Sequence, residues 1–187
     1  MLPSKTHIRP QVFLFLLAFV FLFSGNLICQ EKGDQHSPDM IMKSAYADVW
    51  LPFMESYREL NTEKFKSIQA EHLTKVAIDR NLIQPTSQYY QEIEGFFNQI
   101  KQANRQMDIK FSILSSAIGE DKIYQTGYYC ISMRTSEKEN FSPMGYGYFT
   151  VILKKVDGRW KISMDADKRA AIDEAEFRKS DLIYELK

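Results

Sequence analysis

The sequence has few of the residues on which disulfides, metal sites and nucleic-acid binding depend. It contains 2 cysteines and 3 histidines among 187 residues. Cys29 falls in an apolar leader, so Cys130 is alone in the remainder and no intramolecular disulfide can form there. Basic and acidic residues are balanced at 24 each, whereas a general nucleic-acid binder needs a basic excess to release counterions. We therefore expect a fold held by its core alone, and no nucleic acid as a partner.

The familiar sequence motifs for metals, phosphates and nucleophilic serines are missing as well. His72 stands beside Glu71 and His36 lies in a polar stretch, neither with a second histidine at ligand spacing. No phosphate-binding glycine loop and no Gly-x-Ser-x-Gly nucleophile motif occurs in the chain. These absences predict no metal site and no bound cofactor.

The longest apolar run, Val12 to Phe23, lies close to the N-terminus. Lys5 and Arg9 precede it, and the polar residues Ser24 to Asn26 follow it. As a helix this run would reach only about 18 Å, short of the ~30 Å core of a bilayer. A basic start, a short apolar core and a polar exit predict a secretory signal peptide over residues 1–29. We therefore expect export to the periplasm or to the extracellular space.

Two alternatives stay open for this leader. Cys29 stands where a bacterial lipoprotein cysteine would stand, although the preceding residues Asn26 to Ile28 match a lipobox poorly. Lipidation of Cys29, or retention of the leader as an uncleaved helix, would attach the protein to a membrane. Residues 30–38 are polar and contain Gly and Pro, which predicts a flexible linker. A single domain is then expected over residues 39–187.

The apolar periodicity changes once along this domain. Spacings of three and four predict a first helix in two parts, kinked at Pro52 and restarted with Thr62 as its cap, then a short strand and a second helix. Period-two alternation from Ile109 predicts a meander of antiparallel strands. The charged segment that follows, with its recurring apolar residues, predicts a broken C-terminal helix. The helices are predicted over residues 40–60, 62–69, 86–104 and 167–186, and the strands over 73–78, 109–117, 122–134, 145–156 and 159–164.

Two stretches of the sequence resemble the nuclear transport factor 2-like superfamily, which includes ketosteroid isomerase and SnoaL-like proteins. One is FMESYRELNTEKFKSIQAEHLTKV, similar to that family's first helix, kink and short strand; the other is YGYFTVILKKVDGRWKI, similar to its final hairpin. The resemblance covers about Trp50 to Met164. It implies an α+β fold in which a cone-shaped, curved antiparallel sheet wraps round N-terminal helices, here with an added C-terminal helix. Such cones contain an apolar pocket.

The resemblance also implies candidate catalytic residues. Ketosteroid isomerase uses a carboxylate base opposite a tyrosine and a protonated carboxylic acid. Asp79 and Tyr57 each lie one residue away from the family's base and tyrosine, but residues 150–153 supply no carboxylic acid for the second donor. A true ketosteroid isomerase is therefore not expected, whereas a cofactor-free isomerase or dehydratase with Asp79 as general base and Tyr57 as donor stays open. Alternatively, Asp79 is solvated or paired with Arg80, and Tyr57 belongs to the core.

Tyrosines on two predicted strands are candidates for ligand binding. Tyr128 and Tyr148, with Tyr124 and Tyr146, either line a site for a flat ligand or pair across the strands and stabilise the sheet.

Two carboxylates, Asp165 and Asp167, follow the last predicted strand near the expected mouth of the cone. Asp165 is a candidate ligand-binding residue, and the two carboxylates together could act on a ligand or bind a cation. Asp167 alternatively caps the C-terminal helix.

Three functions are compatible with this pattern. The first is an exported domain that binds a small apolar or aromatic molecule in the cone. The second is a structural or docking module that forms a homodimer through its sheet face. The third is the cofactor-free enzyme with Asp79 as base. A dry, enclosed pocket would favour the first, an apolar outer patch the second, and a pocket-facing Asp79 the third.

Overall fold

The computed structural model describes residues 37–187. The predicted signal peptide over residues 1–29 lies outside the described residues, as does nearly all of the predicted linker over 30–38, and both stay predictions. Within the described range, no helix combines the length and apolar character needed to cross a membrane.

The first helical segment is interrupted by a π-helical turn just before Pro52, where a kink was predicted. Helix α1, Pro38–Ala45, begins where the Ser37 side chain accepts a hydrogen bond from the Met40 backbone N–H, with a proline in its first turn. A π-helical turn, Tyr46–Trp50, leads into α2, Leu51–Arg58. Pro52 has no N–H to donate to the preceding turn, and the wider π turn before it accommodates that loss.

A short break separates α2 from α3, Thr62–Ser67. Leu60 takes a positive φ of 52° at this break, and the Asn61 side chain then accepts a hydrogen bond from the Lys64 backbone N–H at 3.0 Å. The predicted cap at Thr62 is therefore wrong by one residue. Asn61 is the residue before the helix, and its side chain binds the backbone N–H of the third helical residue. Thr62 is the first helical residue.

Helix α4, Thr86–Gln102, agrees closely with the prediction. Ile93, Phe97 and Ile100 form its buried side together with Tyr89, whereas the neighbouring Tyr90 is only partly buried. The helix therefore turns its Tyr89 side toward the inside of the domain.

The sheet of the described part of the chain has seven strands in the order β2-β1-β6-β5-β4-β3-β7. All neighbours are antiparallel except β1 and β6, which run parallel. The predicted meander is confirmed, and β2 and β7 are edge strands that the pattern did not predict. The strands are β1 Gln69–Ala77, β2 Leu82–Gln84, β3 Gln106–Ile118, β4 Lys122–Arg134, β5 Ser142–Val156, β6 Arg159–Ala170 and β7 Leu182–Tyr184.

The C-terminal segment differs from the broken helix predicted over residues 167–186. Strand β6 continues to Ala170, and only a four-residue helix, α5, Glu174–Phe177, follows before β7. Asp173 caps this helix, so the predicted cap at Asp167 is wrong. Asp165 and Asp167 interrupt the apolar alternation and thus resemble the end of a strand, although the strand continues through them.

The helices cover one face of the sheet, and aromatic rings form much of the interface. The Trp50 ring lies 4.8 Å from that of Phe111 and 5.5 Å from that of Phe149, centroid to centroid. Its indole N–H donates to the buried Gln125 side chain at 3.0 Å. The first helical segment is thereby fixed against the middle of the sheet.

Candidate functional site

A cavity of about 340 Å³ lies between the helices and the inner face of the sheet. This volume is at the lower end of the roughly 300 to 1,000 Å³ that is usual for small-molecule sites. Slightly more than half of the cavity wall is apolar, and aromatic rings form much of that part. Its apolar lining includes Trp50, Phe53, Ile109, Phe111, Phe149 and Val151.

One side of the cavity carries a buried group of charges. The Lys75 ammonium lies between two carboxylates, 2.9 Å from Asp165 Oδ2 and 2.6 Å from Asp167 Oδ1. The Tyr89 hydroxyl donates to Asp165 Oδ2 at 3.0 Å, and the Tyr129 hydroxyl donates to Asp167 Oδ2 at 3.1 Å. These five residues, which we name the charged array, all line the cavity. Each carboxylate is thus bound by the lysine and by one tyrosine.

A β-bulge in β6 brings the two carboxylates to the inner face. The register of β5 against β6 shifts so that Ser163 has no partner. Before the bulge, Trp160 and Ile162 are the buried residues; after it, Asp165 is buried and Asp167 is half-buried beside it. An extra residue reverses which side chains face inward. Without it, both carboxylates would lie on the opposite face.

Strand β1 supplies the opposing lysine by regular alternation. Leu73, Lys75 and Ala77 are buried, whereas the residues between them are more exposed. Since β1 runs parallel to β6, Lys75 lies directly beside Asp165 in the register. Residues 90 positions apart in sequence therefore meet in adjacent strands.

A glycine in β5 gives Tyr129 its path to Asp167. Gly147 pairs with Tyr129 on one side and with Arg169 on the other. A Cβ at position 147 would overlap the Tyr129 ring. The missing side chain therefore lets this ring lie across β5 and reach a carboxylate on β6.

Burial and charge decide the protonation of the array. Burial alone would lower the pKa of Lys75, but the attraction of Asp165 and Asp167 outweighs it and the pKa is raised. Burial, reinforced by the nearby carboxylates, raises the pKa of both Tyr89 and Tyr129. The lysine is thus charged at neutral pH, and both tyrosines keep the protons that they donate.

The structure places the two predicted catalytic residues on the same cavity. Asp79 is exposed in the 3-10 turn that follows β1, and its Oδ2 accepts a hydrogen bond from the Arg169 backbone N–H at 2.7 Å. Arg80, expected as its alternative partner, binds Glu92 instead, at 3.1 Å. Asp79 is thus held at the rim of the cavity by the backbone of β6.

Tyr57 is a buried residue of α2 that packs against the Phe53 and Phe97 rings. Among residues 37–187 its hydroxyl has no hydrogen-bond partner. Burial, with smaller contributions from Tyr129 and Asp165, raises its pKa. Tyr57 therefore belongs to the core, as the alternative interpretation has it, and also lines the cavity.

The predicted ligand-binding residues are separated by the structure. Asp165 lines the cavity, whereas Tyr128 and Tyr148 border a shallow groove on the other side of the sheet. Tyr128 lies opposite Tyr148 in the register, with ring centroids 5.7 Å apart and nearly perpendicular planes. This is the cross-strand aromatic pair that the second interpretation describes.

Three residues of the array were missed by the sequence analysis: Lys75, Tyr89 and Tyr129. The sequence does indicate that Lys75 is unusual, because it stands at the inward position between Leu73 and Ala77 on a predicted strand. The two tyrosines had none, since their roles depend on contacts with a distant strand. Within the described range, no group of three acidic, histidine or cysteine side chains is arranged to hold a metal ion.

Comparisons with known proteins find no match by sequence and clear likeness by structure. No protein-family model matches the chain, and no curated protein matches it significantly. A candidate dehydratase of the NTF2-like family from Streptomyces avermitilis aligns with a TM-score of 0.54 at 12% identity, over 73% of this chain and 100% of that chain. An NTF2-like protein with a cystatin-like fold from Novosphingobium aromaticivorans gives 0.54 at 7% identity, over 86% and 91%. A conserved protein from Planctomyces limnophilus gives 0.53 at 14% identity, over 69% and 98%.

At these identities the likeness is one of fold, and a fold of this kind hosts unrelated functions. The mixed, open seven-stranded sheet with helices at its N-terminal side matches the architecture of these neighbours. The expected α+β cone is therefore confirmed: the chain has the nuclear transport factor 2-like fold.

Proposed function

We propose that the domain binds a small, mainly apolar molecule in the cavity and holds it without transforming it. The observation that carries this proposal is the charged array on one side of an aromatic-walled cavity. Asp165 and Asp167 are each bound by Lys75 and by a tyrosine hydroxyl. Moving a proton to either carboxylate would weaken these contacts, so the array is better suited to orient a ligand than to shuttle protons.

Acid–base chemistry at Asp79 is the second candidate. In its favour, Asp79 and Tyr57 both line the cavity, and one structural neighbour is a candidate dehydratase. Against it, the Asp79 carboxylate is exposed and already accepts a backbone hydrogen bond. Asp79 therefore lacks the buried, apolar surroundings that are typical of a catalytic carboxylate base.

A docking role through the outer sheet face is the third candidate. Part of that face is covered by α5, where Phe177 is fully buried and lies 5.8 Å from the Tyr146 ring. The groove beside Tyr128 and Tyr148 is left open. A homodimer would have to use this remaining surface.

Export belongs to the proposal as well, on the strength of the leader over residues 1–29. Cleavage after Cys29 would leave Gln30 at the new N-terminus, whereas lipidation would leave a modified Cys29. Intact mass measurement of the protein recovered from a bacterial host distinguishes these outcomes from a retained leader.

The binding proposal is tested by filling the cavity. Ala77 lines it, whereas Ala117 is exposed on β3, so Ala77→Phe and Ala117→Phe make the same change inside and outside the cavity. The probe is 2-naphthylmethanol, followed by ligand-observed NMR and calorimetry. We expect the wild type and Ala117→Phe to bind it equally, and Ala77→Phe to bind at least about tenfold more weakly because a bulky ring occupies the space.

Circular dichroism establishes that each variant is folded. If Ala77→Phe fails to fold, Val151→Phe makes the same test from β5, since Val151 is also a cavity residue. No binding to the wild type, or undiminished binding to a folded cavity variant, would contradict the proposal.

A further inference from the structure

One oxygen of the charged array has no partner. Asp165 Oδ2 accepts hydrogen bonds from both Lys75 and Tyr89, while Asp165 Oδ1 has no hydrogen-bond partner among residues 37–187. The residue is only 6% exposed and lines the cavity. This oxygen is not among the fully buried, unpartnered polar atoms of the described residues, so it keeps some accessible surface and can accept a hydrogen bond from a ligand.

The donors of the array, by contrast, are already used. The Lys75 ammonium contacts two carboxylates and also lies 4.7 Å from the centroid of the Tyr89 ring. The hydroxyl protons of Tyr89 and Tyr129 are directed to Asp165 and Asp167. The array therefore offers a ligand acceptors and not donors.

The charge of the cavity wall acts in the same direction. Four acidic residues line it against three basic ones. Of the basic residues, Lys75 is bound inside the array and Arg80 is bound to Glu92, which leaves Arg169 at the exposed rim. An anion that reached the array would meet an unpaired acceptor and an excess of negative charge in a poorly solvated space.

We infer that the cavity selects ligands in which an apolar body ends in a hydroxyl group, with this hydroxyl donating to Asp165 Oδ1, and that it discriminates against carboxylate ligands of the same shape. This inference rests on the proposed binding function and adds the class of ligand to it. The Tyr57 hydroxyl, which is also unpartnered among the described residues, lines the same cavity and offers the ligand oxygen a donor.

The test uses three probes with one ring system and the full chain. 2-Naphthylmethanol can donate a hydrogen bond, its methyl ether cannot, and 2-naphthoate is an anion. We expect the alcohol to bind about tenfold more tightly than the ether, the size of effect that a hydrogen bond to a charged group gives. The carboxylate should bind most weakly of the three.

Two variants separate the hydrogen bond from the charge. Asp165→Asn and Asp167→Asn remove the same charge from the array, but only Asp165 has a free oxygen, because both oxygens of Asp167 are already bound. We expect Asp165→Asn to abolish the preference for the alcohol over the ether, and Asp167→Asn to keep it. Both variants should accept 2-naphthoate more readily than the wild type does.

The outcomes distinguish this inference from the proposed function. Binding of the ether or the carboxylate at least as tightly as the alcohol would overturn the inference and leave the binding function intact. The same holds if Asp167→Asn alone loses the preference. If none of the three probes binds the wild type, the proposed function fails and the inference fails with it. Because the wild-type series is decisive by itself, an unfolded variant does not remove the test.

Discussion

Two groups of buried charge in this domain are built differently. In the charged array, each carboxylate has two donors from protein side chains. In the second group, Arg58 of α2 meets Asp108 of β3 through a single contact of 3.1 Å. Asp108 Oδ1 and Arg58 Nε are buried there without a hydrogen-bond partner in the described part of the chain. The array thus has a much more complete set of hydrogen bonds.

The effect of burial on pKa shows which group has enough partners. Burial is the largest influence on both Lys75 and Asp108. For Lys75 the two carboxylates overcome it, and the pKa is raised in favour of the charged form. For Asp108 the nearby Arg58 does not overcome it, and the pKa is raised in favour of the neutral form. Several partners thus favour the charged form of a buried group, as for Lys75. A single partner does not offset the cost of burial, as for Asp108.

The largest difference between the groups should appear when Lys75 is removed. Lys75→Met leaves two carboxylates facing each other without the cation that they share, and breaking a buried ion pair in this way costs about 3 to 5 kcal/mol. Urea unfolding at neutral pH measures this loss. Because the folded pKa of Lys75 is raised, its contribution is present up to its ordinary pKa of 10.5 and is lost as pH rises through the higher folded value.

Lys168 gives the matched control for this substitution. It lies on β6 near the array but is exposed, with its ammonium 5.9 Å from the Tyr148 ring centroid. Lys168→Met should change the free energy of unfolding by no more than about 0.5 kcal/mol. Equal losses for the two variants would mean that the array does not stabilise the fold.

A smaller effect is expected when the tyrosine that completes the array is displaced. Gly147→Ala places a methyl group where the Tyr129 ring lies, and overpacking of this kind costs about 1 to 3 kcal/mol. Gly145→Ala, two residues earlier on the same strand, meets nothing within 4 Å and should be neutral or slightly stabilising. Urea unfolding of the two variants side by side measures the difference. If they prove equally stable, the close approach of Tyr129 to β5 is not required.

The sequence predicts the helices and strands around this site better than it predicts the side-chain contacts within the site. Strand β4 matches its predicted bounds and α4 nearly does, because their apolar periods are long and uninterrupted. Strand β6 was predicted to end at residue 164, since Asp165 and Asp167 break the pattern there. An inward-facing carboxylate resembles the end of a strand when its partner is not known. Here the partner is Lys75 on β1, which the local sequence does not reveal.

The bulge at Ser163 had no signal in the sequence. It reverses the inward face of β6, so a strictly alternating pattern would have placed both aspartates on the outer face. Asp79 and Tyr57 were predicted through the family resemblance, and both line the cavity. The contacts that define the array are pairings between strands far apart in sequence, and no local pattern encodes these.

The smallest effect is expected at the second charged group. Asp108→Asn removes one ionised partner, but Arg58 is 35% exposed and also donates to the backbone carbonyls of Leu186 and Lys187. We therefore expect a change below about 1 kcal/mol at neutral pH.

Because the folded pKa of Asp108 is raised, its contribution to folding stability is fully present below its ordinary pKa of 3.8 and is lost as pH rises through the folded value. The wild type should accordingly gain stability relative to Asp108→Asn between about pH 7 and about pH 4. Urea unfolding at the two pH values measures this change, and a relative loss on acidification would show that Arg58 outweighs burial after all.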